Sequence, residues 1–294
     1  MPNPRTIVVT GASSGIGRDA ALHLNAAGYR VVATVRREED AVALTDEAAA
    51  PAALIPVQCD VTSDDDVAYL AQRLGELVGD AGLFAMFSNA GVANMSGDVT
   101  AEGCPLPTLA RLMEVNYLGS VRVIQALLPL LRSAKGTLVI NSALMTRTVL
   151  PYNGGYAPSK AALEAWADQL RREVRPHGVR VVCIRAAAIA TPLEAKQDAS
   201  SVPADGPYPE QHAFIQGGLV LMRKKALEAA LQPRRVSELV QHTIENPRPR
   251  LKPIVGGNAR PIWLIGGLPL RLQDAMMARV TRRMTRAGTD ATAD

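Results

Sequence analysis

Tyr156 and Lys160 stand four residues apart in the segment YAPSK. On a helix that spacing sends both side chains off one face. A phenol beside an ammonium ionises more readily, because the positive charge favours phenolate over phenol. The ordinary tyrosine pKa is about 10, so such help is what lets a tyrosine exchange protons near neutrality. The pair alone carries little weight, since Tyr and Lys meet at this spacing by chance and an exposed pair does no chemistry. A second stretch, TGASSGIG at residues 10–17, has the makings of an anion site. It follows the apolar run Ile7-Val8-Val9, which reads as a buried strand. It precedes residues 18–27, whose Ala20, Ala21, Leu22 and Leu24 suit the inner face of a helix. The first-turn N–H groups of such a helix have no internal partners, and the dipole places partial positive charge there. Gly11 and Gly15 tolerate backbone angles that other residues resist, and Gly17 allows helix and strand to pack closely. With a strand before and a helix after, the turn reads as a dinucleotide site.

Short apolar runs with helical patterns between them position these groups. Strands are expected at 30–35, 53–59, 83–88, 137–141, 179–184 and 251–255. Ser63 and Asp66 resemble a capping box for a helix through Val78. Residues 108–132 show long helical periodicity with Asn116 near the middle, and 156–175 and 236–246 are also helical. The alternation predicts an α/β fold: a doubly wound, mostly parallel, Rossmann-like sheet with helices on both faces and a C-terminal helical extension. Residues 192–232 break the rhythm with Pro192, Pro203, Pro207, Pro209 and Gly217-Gly218. Such long insertions are lids, binding loops or disordered segments. Residues 1–260 are therefore read as one catalytic domain that includes the lid, and 261–294 as an amphipathic tail.

The bulk properties set bounds. The 294 residues suffice for one large α/β domain, and 48% hydrophobic with 20% charged residues is ordinary for a globular protein. A net charge of +4 is too small to argue for nucleic acid. Cys59, Cys104 and Cys183 lie far apart, are odd in number and lack metal-ligand spacing, so buried reduced thiols in a cytoplasmic protein are expected. Met1-Pro2-Asn3-Pro4 leads straight into the first strand, so no signal peptide is expected.

From about residue 5 to 255 the sequence resembles the short-chain dehydrogenase/reductase family. The matching motifs, in order, are TGASSGIG at 10–17, Asp60-Val61, Asn89-Ala90-Gly91, Asn116 in VNYLG, and YAPSK at 156–160. The resemblance implies Tyr156 as general acid/base, with Lys160 holding the nicotinamide ribose and easing the tyrosine's ionisation. It implies a serine steadying the substrate oxygen and Asn116 supporting a water-linked proton path. Cofactor contacts are implied for Gly11, Ser13, Ser14, Gly15, Ile16 and Gly17. Asp60 with Val61 would lie at the adenine edge, Asn89, Ala90 and Gly91 near a ribose, and Ile189 and Thr191 near the nicotinamide carboxamide. Two departures stand out. The family serine lies one residue nearer the tyrosine than Ser142, so either Ser142 serves across a longer loop or the position falls on Ala143. Ala186-Ala187 also stand where the family commonly has Pro-Gly, which alters backbone freedom beside the nicotinamide.

Enzymes preferring NAD(H) present an acidic side chain at the end of the second strand. Here Val35 holds that place and Arg36-Arg37 follow. Guanidinium groups suit a 2′-phosphate, so NADP(H) is expected over NAD(H), the alternative being a solvated arginine pair. The resulting expectation is an oxidoreductase acting on a small lipophilic alcohol or its carbonyl partner, working as a homodimer or homotetramer. The lid residues Leu193, Phe214, Ile215, Leu219, Val220, Leu221 and Met222 are apolar, and lid and tail resemble the steroid- and retinoid-directed branch of the family. The alternative is a nucleotide-binding scaffold or sensor with weak or lost catalysis. For the tail, three readings compete: a cover for the cleft, an oligomer contact and a monotopic membrane anchor. Packing beside the lid in a soluble protein is the expected one.

Overall fold

The computed structural model describes residues 5–93, 97–151, 153–191, 200–201, 224 and 228–291. Seven strands form one sheet: β1 (Thr6–Val9), β2 (Arg30–Val35), β3 (Leu54–Gln58), β4 (Ala85–Ser88), β5 (Thr137–Ala143), β6 (Arg180–Ala186) and β7 (Ile254–Val255). Their order is β3-β2-β1-β4-β5-β6-β7, and every neighbouring pair is parallel. The chain leaves β1 toward one edge and returns at β4 to build toward the other. The crevice beyond the C-terminal ends of β1 and β4 is thus the topological switch point where such sheets bind ligands.

Because successive side chains alternate across a strand, each strand feeds two cores. Ile7, Val9, Val31, Ala33, Ala85, Phe87, Val139 and Ile184 face α1 (Gly15–Ala26), α2 (Glu38–Asp46) and α7 (Arg234–Glu245). Val8, Val32, Met86, Leu138, Ile140, Val181 and Cys183 face α3 (Asp64–Val78), α5 (Ser120–Ser133) and α6 (Tyr156–Val174). The helix before α5, α4 (Leu106–Met113), runs into it through a single π turn, Glu114–Gly119. The tail forms α8 (Ala259–Ile265) and α9 (Leu270–Ala291).

Several boundaries move for physical reasons. The second strand falls where it was expected, but β3 is shorter than 53–59 because Pro51–Ala53 closes a 3₁₀ turn first. β5 runs two residues past 141, bringing Ser142 and Ala143 into register with Arg185 and Ala186. The last strand shrinks to two residues. The Leu251, Pro253 and Val255 carbonyls accept from Cys183, Arg185 and Ala187, but Pro253 has no N–H to return, so regular pairing is confined to Ile254 and Val255. Ser63 caps α3 by accepting the Asp66 amide at 3.2 Å, yet the Asp66 carboxylate reaches back to the Asp60 amide at 2.8 Å rather than to Ser63. The capping box is therefore stretched to grip the end of β3.

Of the side chains described along α9, residues 270–279 and 282, most are exposed, and Leu272 and Met276 are among them. The lid residues named above lie outside the described residues. All three cysteines are buried and unpaired. Burial pushes the Cys59 and Cys183 thiols up to about 12.

A buried ion pair ties α6 to β6. Arg185 grips Glu164 through two hydrogen bonds, at 2.8 and 3.1 Å, with side chains only 12% and 7% exposed. Lys252 approaches the same carboxylate at 3.7 Å. Removing one partner would strand a charge in low dielectric. Glu164→Ala is expected to cost about 3–5 kcal/mol in denaturant unfolding. A paired Glu164→Leu, Arg185→Met replacement should recover most of that loss.

Candidate active site

The glycine turn is held by the strands on either side. Gly11 and Gly15 have φ of +68° and +55°, in the left-handed region that favours glycine. The Gly11 amide donates to Thr34 Oγ1 at 3.1 Å and the Ala12 amide to Thr34 O at 2.8 Å, tying the turn to β2. Thr10 Oγ1 accepts from the Asn89 and Ala90 amides at 2.9 and 3.0 Å, tying it to β4. A Cβ on Gly17 would run into the Gly11 carbonyl oxygen and the Asn89 amide, so α1 approaches the turn as only glycine permits. Ser14, at the N-cap of α1, is exposed, and its side chain caps no amide. The first-turn N–H groups thus face the crevice without a side-chain cap. Ser13 and Ile16 are partly buried beside them.

The ends of β2 and β3 separate the two arginines. Arg37 is the N-cap residue of α2, and its guanidinium pairs with Asp40 at 3.0 and 3.1 Å and with Glu39 at 3.3 Å. Arg36 makes no side-chain hydrogen bond or ion pair among the described residues, and its charge acts on Asp60. Burial raises the Asp60 carboxyl, but the Thr62 amide and hydroxyl, at 2.9 and 2.7 Å, and the Arg36 charge outweigh it and hold the group below the ordinary carboxylate value. Val61 is buried, and Gly119 at the end of the π turn lies directly against it. Arg122 binds the Val61 carbonyl at 3.0 Å, Glu114 at 3.1 Å and Asp64, so one guanidinium ties β3's end to the π turn. The sequence reading had missed Arg122, because its partners come from three separate elements.

The π turn is organised by Asn116, which is fully buried. Its amide nitrogen donates to Val92 O at 2.9 Å and to Ser159 Oγ at 3.0 Å, and its oxygen accepts from the Val92 amide at 2.8 Å. With both N–H bonds engaged, the side chain clamps the loop after β4 to α6. Ser159, the fourth residue of YAPSK, was also missed. It passes the contact on, donating to Tyr156 O at 2.7 Å. The spacing offered a signal, since three residues on a helix share a face. Asn89 is likewise engaged: its nitrogen donates to Thr10 O at 3.0 Å and Gly11 O at 3.2 Å, and its oxygen accepts from Asn141 at 2.9 Å. Its side chain therefore holds the glycine turn.

Tyr156 is the first residue of α6 and is half-buried. Lys160, one turn later, is 4% exposed and donates to Asn141 O at 3.0 Å, with Gly91 against its Nζ. Burial lowers its ammonium from 10.5 to about 8. Ser142 is 2% exposed, and its Oγ is a buried hydroxyl without a hydrogen-bond partner among the described residues. Ala187 does not lie in the left-handed region, and its amide donates to Val255 O at 2.7 Å. Ala186 is thus the last residue of β6, Ala187 follows it with its amide still bonded to the edge strand, and glycine is not required there. Thr191 is partly buried just past buried Ile189, at the edge of the described residues.

The sequence pattern of the short chain dehydrogenase family matches residues 5–201. The chain belongs to that family. Retinol dehydrogenase 5 of Mus musculus is 32% identical over 94% of this chain and 89% of its own length. A 17-beta-hydroxysteroid dehydrogenase type 6 of Bos taurus is 28% identical over 93% of this chain and 87% of its own. Among solved structures, a short-chain dehydrogenase from Streptomyces avermitilis superposes with a TM-score of 0.76 at 25% identity, covering 95% of this chain and 98% of that one. This short-chain dehydrogenase is an oxidoreductase with a nucleotide-binding Rossmann-like fold.

The buried lysine makes a testable demand on stability. Its folded value of about 8 lies below its ordinary 10.5. Between those limits the unfolded chain holds a proton that the folded protein has released, so this residue's contribution to stability rises with pH. Lys160→Met should therefore be the more stable protein at pH 7 when free of ligand, and its stability should climb less between pH 8 and 10. Equal slopes in denaturant melts of both proteins would refute the assignment.

Proposed function

We propose that the protein is an NADP(H)-dependent dehydrogenase interconverting a lipophilic alcohol and its ketone or aldehyde, with Tyr156 as general acid/base. The observation that supports it best is the Lys160 ammonium, removed from water one helical turn from Tyr156 with a single acceptor, Asn141 O, among the described residues. A buried cation with N–H bonds to spare calls for another acceptor, and a ribose hydroxyl fits. The rest of the crevice also fits a dinucleotide. The uncapped start of α1 and the crowding around Gly11 and Gly17 suit a pyrophosphate. Arg36, whose guanidinium makes no hydrogen bond or ion pair among the described residues, suits a 2′-phosphate. The names of the retinol and hydroxysteroid relatives support a lipophilic alcohol as substrate.

When bound, the nicotinamide supplies or takes up a hydride at the carbinol carbon. The chain's own part is the proton and the geometry. In carbonyl reduction Tyr156 gives its phenolic proton to the oxygen, and in alcohol oxidation the phenolate takes it back. The Lys160 charge and the positive end of the α6 dipole both favour that phenolate. Ser142 Oγ is the hydroxyl available to hold the reacting oxygen, and Asn116 positions the helix bearing the pair through Ser159 rather than touching the reacting atoms.

Tyr156→Phe should abolish turnover of lipophilic ketones while NADPH still binds, as fluorescence titration would measure. Arg36→Ser should weaken NADPH by roughly tenfold to over a hundredfold, for the loss of about 1.5–3 kcal/mol, and leave NADH nearly unchanged. Arg37→Ala should alter neither much, because Arg37 is already held by Asp40. Ser142→Ala should lower kcat by roughly a hundredfold or more through loss of a donor to the reacting oxygen. A silent Ser142→Ala, with activity raised by Ala143→Ser, would move that role to position 143.

A further inference from the structure

Asn141 has a side-chain atom that nothing described so far employs. Its backbone oxygen accepts from Lys160. Because successive side chains alternate along a strand, its own leaves β5 on the face opposite Ser142, the face that carries Val139 and Ile184. There it meets Asn89 at the end of β4, donating from Nδ2 to Asn89 Oδ1 at 2.9 Å. The direction of that bond is fixed from outside. Asn89 Nδ2 donates to Thr10 O and Gly11 O, so its oxygen is the atom turned toward Asn141, and Asn141 must answer with its nitrogen. The Asn141 Oδ1 is left over. It is buried without a hydrogen-bond partner among the described residues, although the residue as a whole is only partly buried.

A buried amide oxygen calls for a donor. The dinucleotide proposed above has few to offer. Its pyrophosphate carries only acceptors at neutral pH. Its adenosine end is assigned to Arg36 and Asp60 beyond β2 and β3, and the order β3-β2-β1-β4-β5 sets β1 and β4 between them and Asn141. What remains is the nicotinamide riboside half, with its ribose hydroxyls and its carboxamide N–H groups. We propose that Asn141 is a cofactor-positioning residue whose Oδ1 accepts a hydrogen bond from that half. One residue then holds Lys160 through its backbone and the reacting end of the cofactor through its side chain. The inference rests on the dinucleotide reading of the crevice, but not on the choice between NADP(H) and NAD(H) or on any substrate.

Calorimetric titration of the full chain with a ladder of ligands tests this without any turnover. The ladder is ADP, ADP-ribose, the oxidised dinucleotide and its 3-acetylpyridine analogue. All are used with the 2′-phosphate or all without it, whichever set the wild type binds more tightly. Asn141→Leu should weaken the whole dinucleotide about tenfold, the worth of one hydrogen bond, and leave ADP nearly unchanged. Asn141→Ser keeps a donor for Asn89 but loses the amide oxygen, and it should do the same if the leucine variant fails to fold. Asn89→Ala is the contrast, since loosening the glycine turn should weaken ADP and the dinucleotide alike. A loss already present with ADP-ribose assigns the donor to a ribose hydroxyl. A loss confined to the dinucleotide, and absent with the 3-acetylpyridine analogue that lacks the amide N–H, assigns it to the carboxamide. Either result supports the proposal. Equal weakening of ADP would overturn it, because Asn141 would then act only through Asn89 and the turn. Unchanged binding of every ligand would also overturn it and leave Oδ1 to a water. A wild-type chain that binds none of the ladder would refute the dinucleotide reading itself, and this inference with it.

Discussion

The active end of this protein is organised around an ammonium group taken out of water. Lys160 is buried and lowered to about 8, and its partner is the backbone oxygen of Asn141. That residue's side chain binds Asn89, whose amide in turn holds the carbonyls of Thr10 and Gly11. One polar chain thus runs from α6 across the ends of β5 and β4 to the glycine turn. In low dielectric a half-made network costs more than none. The lysine, the turn and the strand ends are therefore positioned together.

The long helix beside this network widens into a π turn at Asn116. From that turn the Asn116 side chain pairs with both the N–H and the C=O of Val92, as a neighbouring strand would. Gly119 lets the same turn lie against Val61, and Arg122 fastens the two from outside. The loop after β4 and the segment after β3, which bracket the crevice, are in this way referenced to one helix.

Farther out, packing gives way to charge. Glu164 and Arg185 hold the middle of α6 to β6, and the short β7 closes that edge of the sheet. Beyond β7, α8 still reports to the crevice through Thr148 and Arg147. The last helix then leaves the core with its leucines uncovered, and arginine becomes the principal charged residue.

What could be read from the sequence was what is local. The strand–turn–helix at 10–17, the left-handed angles of Gly11 and Gly15, the full extent of β2, the cap on α3 and the shared face of Tyr156 and Lys160 follow from periodicity and backbone sterics within a few residues. Tertiary structure decided the matters in which distant groups compete. Arg36 and Arg37 look alike in sequence, but only Arg37 lies within reach of Asp40 once α2 forms. Asn89 and Asn116 stand in recognisable motifs, but the partners of their amides, Thr10, Gly11 and Asn141 for one and Val92 and Ser159 for the other, mostly lie far along the chain. Whether the apolar stripe of the tail is buried depended on a surface to receive it, which no pattern within the helix can specify. Local rules determine which conformations a segment can adopt; which polar group satisfies which partner is settled only when the sheet brings them together.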